Sequence, residues 1–113
     1  HALLLGAESR QSEVLESCRK GVGYTDTPVD YQWQRYQAPL RRGDTLLLVS
    51  DGVTDQPGGP RNVMFGKKRI QSLLAQHRAL PLPALSDALL TALTAWQGQQ
   101  TSRDDMTWFG FRW

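Results

Sequence analysis

The sequence predicts an α+β domain with two antiparallel helices against one sheet. Three observations carry this. Short apolar runs of strand length lie at residues 2–5 and 45–49, two segments of helical periodicity lie between Ile70 and Trp96, and an aromatic-rich strand closes the chain from Met106 to Trp113. Strands, then helices, then a returning strand is the order of a sheet that carries its helices on one face. A length of 113 residues with 40% hydrophobic and 21% charged residues suits one folded domain, or part of a larger one, and excludes a disordered chain.

Each element follows from local chemistry. Ala2-Leu3-Leu4-Leu5 ends at Gly6 and reads as a buried strand. Ser12–Glu16 holds Val14 and Leu15 in a polar stretch and reads as a weaker strand. Gly21 to Pro28 has the composition of a loop. From Asp30 to Gln37, Tyr31 and Trp33 alternate with Gln32 and Gln34, which predicts a half-exposed strand ended by Pro39. Arg41-Arg42-Gly43-Asp44 reads as a tight turn. Thr45–Val49 is apolar at nearly every position, as in a strand buried on both faces. Residues 50–60 read as a polar loop rich in Asp, Gly and Pro.

Ile70, Leu73, Leu74 and His77 form one stripe of a helix that starts near Phe65-Gly66. His77 sits at the stripe's edge, and with no second His or Cys at ligand spacing it reads as a packing or surface residue. Pro81 and Pro83 break the pattern. Pro83 suits the first position of a second helix, whose face is Leu85, Leu89, Ala92, Leu93 and Trp96 and whose stop is Gly98. The last strand carries large residues on both parities, so it needs cover on both faces. Helices cover one. Too few strands remain in this chain to cover the other. Four Trp provide ample area for the core.

Charge and cysteine content exclude several classes. The formal net charge is +2, and the densest basic groups, Arg41-Arg42 and Lys67-Lys68-Arg69, are short and not interleaved with stacking aromatics. That is solvated surface rather than a nucleic-acid interface. One cysteine, Cys18, forms no internal disulfide and no multi-cysteine metal site, and nothing nearby activates it as a nucleophile. A reducing compartment is expected: the cytoplasm, for a separate protein or for the cytoplasmic part of a larger sensor. No membrane-spanning run or signal peptide is visible. The first residue is His1 rather than Met, so a piece of a longer chain is expected.

Carboxylates concentrate at two strand ends. Ser50-Asp51-Gly52-Val53-Thr54-Asp55 follows one strand directly, and Arg103-Asp104-Asp105-Met106-Thr107 precedes the last. Strand ends hold side chains on a rigid frame. Mg²⁺ and Mn²⁺ take oxygen ligands and keep several waters, so one or two carboxylates per ion can suffice. Gly52 lets the backbone approach an ion closely. Asp51 and Asp104 converge on one site if the two strands are neighbours. On residues alone a plain turn remains open for both loops, because Asp-Gly is a common turn pair. No EF-hand, P-loop or zinc spacing is present.

The combination is more specific than either loop. Gly43-Asp44-Thr45-Leu46-Leu47-Leu48-Val49-Ser50-Asp51-Gly52-Val53-Thr54-Asp55 resembles the signature of SpoIIE-type phosphatases, of the PPM metal-dependent class. Phe65-Gly66 before a basic helix start resembles that family's next landmark, and Asp104-Asp105-Met106-Thr107 its closing motif. The resemblance is strongest over residues 39–113. Upstream, His1 resembles the end of an Ala-Gly-His element and Gly21-Val-Gly23 a later glycine turn. Ser50 stands where Thr is commoner, Asp55 where Glu is usual, and Ala2 where Pro is frequent.

The resemblance implies the C-terminal half of a SpoIIE-type phosphatase domain, spanning residues 1–113. It implies part of a four-layer α-β-β-α sandwich. It implies a pair of Mn²⁺ or Mg²⁺ ions in the complete domain, whose activated water hydrolyses phosphoserine or phosphothreonine on a regulatory protein. Partner-switching proteins of the anti-anti-sigma (STAS) type are the expected substrates, and a homodimer is a possible assembly. Asp51 and Asp104 are then metal ligands, Gly52 and Asp105 lie at or just behind the metal, and Asp55 is structural. The family's bridging carboxylate comes from an Asp-Gly element without counterpart here, since Asp26 and Asp30 lack a following Gly. The isolated chain is therefore expected to be inactive. Two other readings stand beside this one. A degenerate phosphatase-like module would bind a signalling partner without turnover, and in an unrelated α+β domain the acidic loops would be only turns.

Overall fold

A computed structural model describes all residues except Arg10 and Arg19. In chain order the elements are β1 (Ala2–Leu5), β2 (Ser12–Leu15), β3 (Thr45–Val49), α1 (Asp51–Thr54), β4 (Pro57–Gly58), β5 (Val63–Met64), α2 (Gly66–Gln76), α3 (Leu82–Gln97) and β6 (Trp108–Arg112). Four strands form one antiparallel sheet in the order β2-β1-β3-β6, and β4 and β5 form a small hairpin.

The strand period of two divides the sheet into unequal faces. Leu3, Leu5, Leu47 and Val49 point to the helices and are buried with Ile70, Leu73 and Leu74 of α2 and Leu85, Leu89 and Leu93 of α3. This is the predicted helix stripe, and His77 closes α2 by donating its N–H to the Leu73 carbonyl (2.9 Å). Helix α3 starts one residue before Pro83 and stops at Gly98, which adopts φ 56°.

The opposite face is also apolar. Register aligns Leu4 with Leu46 and Phe111, and Ala2 with Leu48 and Phe109. Leu48 is 41% exposed and Phe109 60% exposed. Leu4, at the other end of the row, is buried, so the exposure is greatest at Leu48 and Phe109. The chain therefore contributes two layers, one sheet and its helices.

Three expectations need correction. Residues 31–40 form no strand. Alternating Tyr31 and Trp33 favour extended backbone, but a strand also needs a ladder partner, and this segment has none among the described residues. Local contacts hold it instead: Trp33 Nε1 donates to the Lys20 carbonyl (3.1 Å), and the rings of Tyr31 and Trp33 meet edge to face at 5.2 Å. Residues 50–60 are not all loop, since they contain the single turn α1 and strand β4. Only two of the four Trp, Trp96 and Trp108, pack against the core; Trp33 is 42% and Trp113 67% exposed.

The predicted turn before β3 forms as expected. Asp44 donates its N–H to the Arg41 carbonyl (3.0 Å), and Gly43 takes φ 91°, a conformation open to glycine. The buried Asp44 carboxylate accepts from the N–H groups of Arg41 (2.7 Å) and Ala7 (2.8 Å). These bonds hold its pKa below the ordinary carboxylate value, against the opposing effect of desolvation. A lowered folded pKa stabilises the fold above the unfolded pKa of about 4 and loses that contribution as pH falls through the folded value. Asp44→Asn is expected to flatten the acid limb of the melting temperature below about pH 4, a change read by thermal unfolding across acid pH.

Candidate functional site

β3 and β6 are neighbours, with Val49 opposite Trp108. That pairing brings the two acidic loops to one end of the sheet. Ser50 extends the pairing beyond the strands. Its N–H donates to the Thr107 carbonyl (2.9 Å), while its Oγ accepts from the Thr107 N–H (3.0 Å) and donates to the Asp105 carbonyl (3.1 Å). Immediately after Ser50 the chain turns into α1, with Asp51 in its first turn.

Gly52 is buried against the second loop. A Cβ on it would enter the van der Waals shell of the Asp105 carbonyl oxygen and lie 3.3 Å from the Asp104 carbonyl carbon. Glycine thus permits a contact that any side chain would block. Asp51, Gly52, Asp55, Arg103 and Asp104 line a cleft of about 240 Å³. Asp51 and Asp104, the two residues the sequence singles out, face the same space.

Asp51 Oδ1 accepts from the Gly52 N–H (3.1 Å), and Asp104 Oδ1 from the Asp105 N–H (2.7 Å). Both residues are exposed, and neither second oxygen has a partner among the described residues. Asp55 donates its N–H to the Asp51 carbonyl (2.8 Å), and its carboxylate accepts from Thr54 Oγ1 (3.1 Å). Asp55 therefore serves α1 while lining the cleft. Asp26, by contrast, pairs with Lys20 on the surface (2.7 Å). Cys18 is half-buried, with its thiol donating to the Gln34 carbonyl (3.5 Å).

The donor set fits a hard divalent cation. It offers exposed carboxylate oxygens beside a close backbone approach, with room for water ligands. Among the described residues no group of three or more His, Cys, Asp or Glu side chains gathers to hold an ion. Two carboxylates are what this chain brings.

The sequence reading missed two residues. Arg103 lines the acidic cleft as its one cationic side chain. Gln56 is 0% exposed. Its Nε2 donates to the carbonyls of Pro57 (3.0 Å) and Thr101 (3.1 Å), and its Oε1 accepts from the Arg103 N–H (3.3 Å). A glutamine in a polar loop looks like surface in a sequence. Only the approach of the two loops buries it.

Beyond the site, the hairpin β4–β5 is tied to α3. Trp96 Nε1 donates to the Val63 carbonyl (3.1 Å), and the Arg69 guanidinium lies 3.7 Å from the centre of the Trp96 ring. No helix among the described residues is long and apolar enough to cross a membrane.

Comparison with known proteins gives a consistent result. The family model of stage II sporulation protein E (SpoIIE) matches residues 1–113. Among solved structures, the SiaA-PP2C domain of Pseudomonas aeruginosa superposes with a TM-score of 0.82 at 29% identity, over 99% of this chain and 43% of that one. This chain thus spans less than half the length of that structure. No curated protein matches. With the Asp-Gly turn after β3, the paired acidic loop before β6 and the match over all its residues, the chain belongs to the SpoIIE family of PPM-type phosphatase domains.

Proposed function

We propose that this chain is the C-terminal half of a metal-dependent protein phosphatase domain and contributes one side of its two-metal site. The observation that carries this reading is the pairing of β3 with β6, which places Asp51 and Asp104 on one cleft. Asp51 and Asp104 would hold Mn²⁺ or Mg²⁺, with Gly52 allowing the backbone close and Asp105 bracing the loop behind Asp104. Such an ion, when bound, supplies Lewis acidity and an ionisable water for attack on phosphorus. The chain's own residues hold the carboxylates at a fixed spacing and keep the cleft open to a phosphorylated side chain. Phosphoserine or phosphothreonine on a regulatory protein of the STAS type is the proposed substrate, and a homodimer the proposed assembly.

Asp51→Asn and Asp104→Asn in the full-length protein are each expected to lower Mn²⁺-dependent hydrolysis of a phosphoserine protein by at least ~100-fold, the upper range for disturbing even the residues behind a metal ligand. The isolated 113-residue chain is expected not to hydrolyse p-nitrophenyl phosphate with Mn²⁺. Unchanged activity in both variants sinks the assignment of these residues.

A second reading is a phosphatase-like module that binds a signalling partner without turnover. A full-length protein that binds its phosphorylated partner but never releases phosphate would establish this reading instead.

A further inference from the structure

We propose that Gln56 is a positioning residue that holds Arg103 and Asp104 against Asp51 and thereby sets the affinity of the cleft for a divalent cation. This rests on the metal-dependent reading above.

Residues 101–105 are exposed throughout and belong to no helix or strand. Within the stretch Ser102 Oγ donates to the Asp104 carbonyl (3.1 Å), and two clamps hold it from outside. Ser50 grips it at Asp105 and Thr107. Gln56 grips it at Thr101 and Arg103. Asp104 lies between the clamps, and its carboxylate bonds only to the adjacent Asp105 N–H among the described residues. Its place beside Asp51 therefore depends on where the clamps hold the backbone.

Gln56 is well suited to that task. Burying an amide costs free energy unless its donors and acceptor are bonded. Here both donors and the acceptor are used, and no buried side-chain polar atom among the described residues lacks a partner. The Gln56 carbonyl also accepts from the Phe65 N–H (2.9 Å), so its backbone is fixed by the start of α2. The side chain thus reaches from a rigid frame to a stretch that has little frame of its own. An apolar side chain of similar size would fill the space and leave the Thr101 carbonyl and Arg103 N–H without partners. Residues that orient metal ligands typically cost 10–100-fold in metal affinity when replaced.

The test is a Mn²⁺ titration of metal-free full-length protein, with free Mn²⁺ read by electron paramagnetic resonance. Gln56→Met keeps the length and removes the hydrogen bonds. It is expected to weaken Mn²⁺ binding by ~10-fold or more and to speed amide exchange at Arg103. Leu93→Ala, in the core under α3, is the control for lost stability alone: it should lower the melting temperature yet leave Mn²⁺ affinity unchanged. A folded Gln56→Met protein that binds Mn²⁺ as wild type does overturns the proposal. Should Gln56→Met fail to fold, amide exchange in the metal-free wild type decides. An Arg103 amide as fast as that of Ser102 overturns the proposal, and a protected one supports it. Asp51→Asn separates the two levels: wild-type Mn²⁺ affinity in that variant refutes the metal reading itself, and the proposal with it.

Discussion

Gly52→Ala is expected to lower the melting temperature of the metal-free protein and, in the full-length protein, to abolish Mn²⁺-dependent hydrolysis. The cause is space. Gly52 lies in the single turn α1, and its φ is not in the left-handed region, so alanine suits the local backbone. The added methyl, however, meets the Asp105 carbonyl oxygen and the Asp104 carbonyl carbon. Backbone atoms on both sides must move, and overpacking of this kind costs about 1–3 kcal/mol. The movement separates the loop of Asp104 from the turn of Asp51. One substitution thus acts on stability, through the clash, and on the site, through the spacing of the carboxylates. Thermal unfolding without metal isolates the first effect, and a Mn²⁺ titration the second. A Gly52→Ala protein with wild-type melting temperature and metal affinity would show that the two loops do not touch.

How much of this was legible in the sequence differs by feature. The stripe Ile70, Leu73 and Leu74 and the run Thr45–Val49 were readable because each buries its residues by local periodicity. Asp51 and Asp104 were readable as candidates because both adjoin strands. Their convergence was expected only through the family resemblance, because the residues alone do not show that β3 pairs with β6 across more than fifty residues of chain. Gln56 was hidden for the same reason: its burial and its bonds to Thr101 and Arg103 exist only when the loops meet. The strand expected at 30–37 failed in the opposite direction. Its alternation was present, but alternation supplies no ladder partner.

The apolar row on the uncovered sheet face leads to the second large effect, and it has opposite outcomes in two molecules. Leu46, Leu48, Phe109 and Phe111 lie on one face of paired strands, with the two Phe rings 6.3 Å apart. Fully burying a Leu or Phe side chain contributes about 1.5–3 kcal/mol, so such a row left in water forfeits a substantial part of a domain's stability. In the sandwich we propose for the full-length domain, a second sheet covers this face. Phe109→Lys is then expected to destabilise the full-length domain by about 3 kcal/mol or more, because it buries a charge without a partner. In the isolated 113-residue chain the same residue is 60% exposed. There Phe109→Lys is expected to change stability by no more than about 0.5–1 kcal/mol, as surface substitutions do, and to reduce self-association through the exposed row. Thermal unfolding of both molecules and sedimentation of the short one read these effects. Equal, small losses in both would mean that nothing covers the face in the longer protein, and the two-sheet reading would fall. A large loss confined to the full-length domain would mean that the strands whose pairing brings Asp51 and Asp104 to one end of the sheet also form, on their more exposed face, the seam against the rest of the domain.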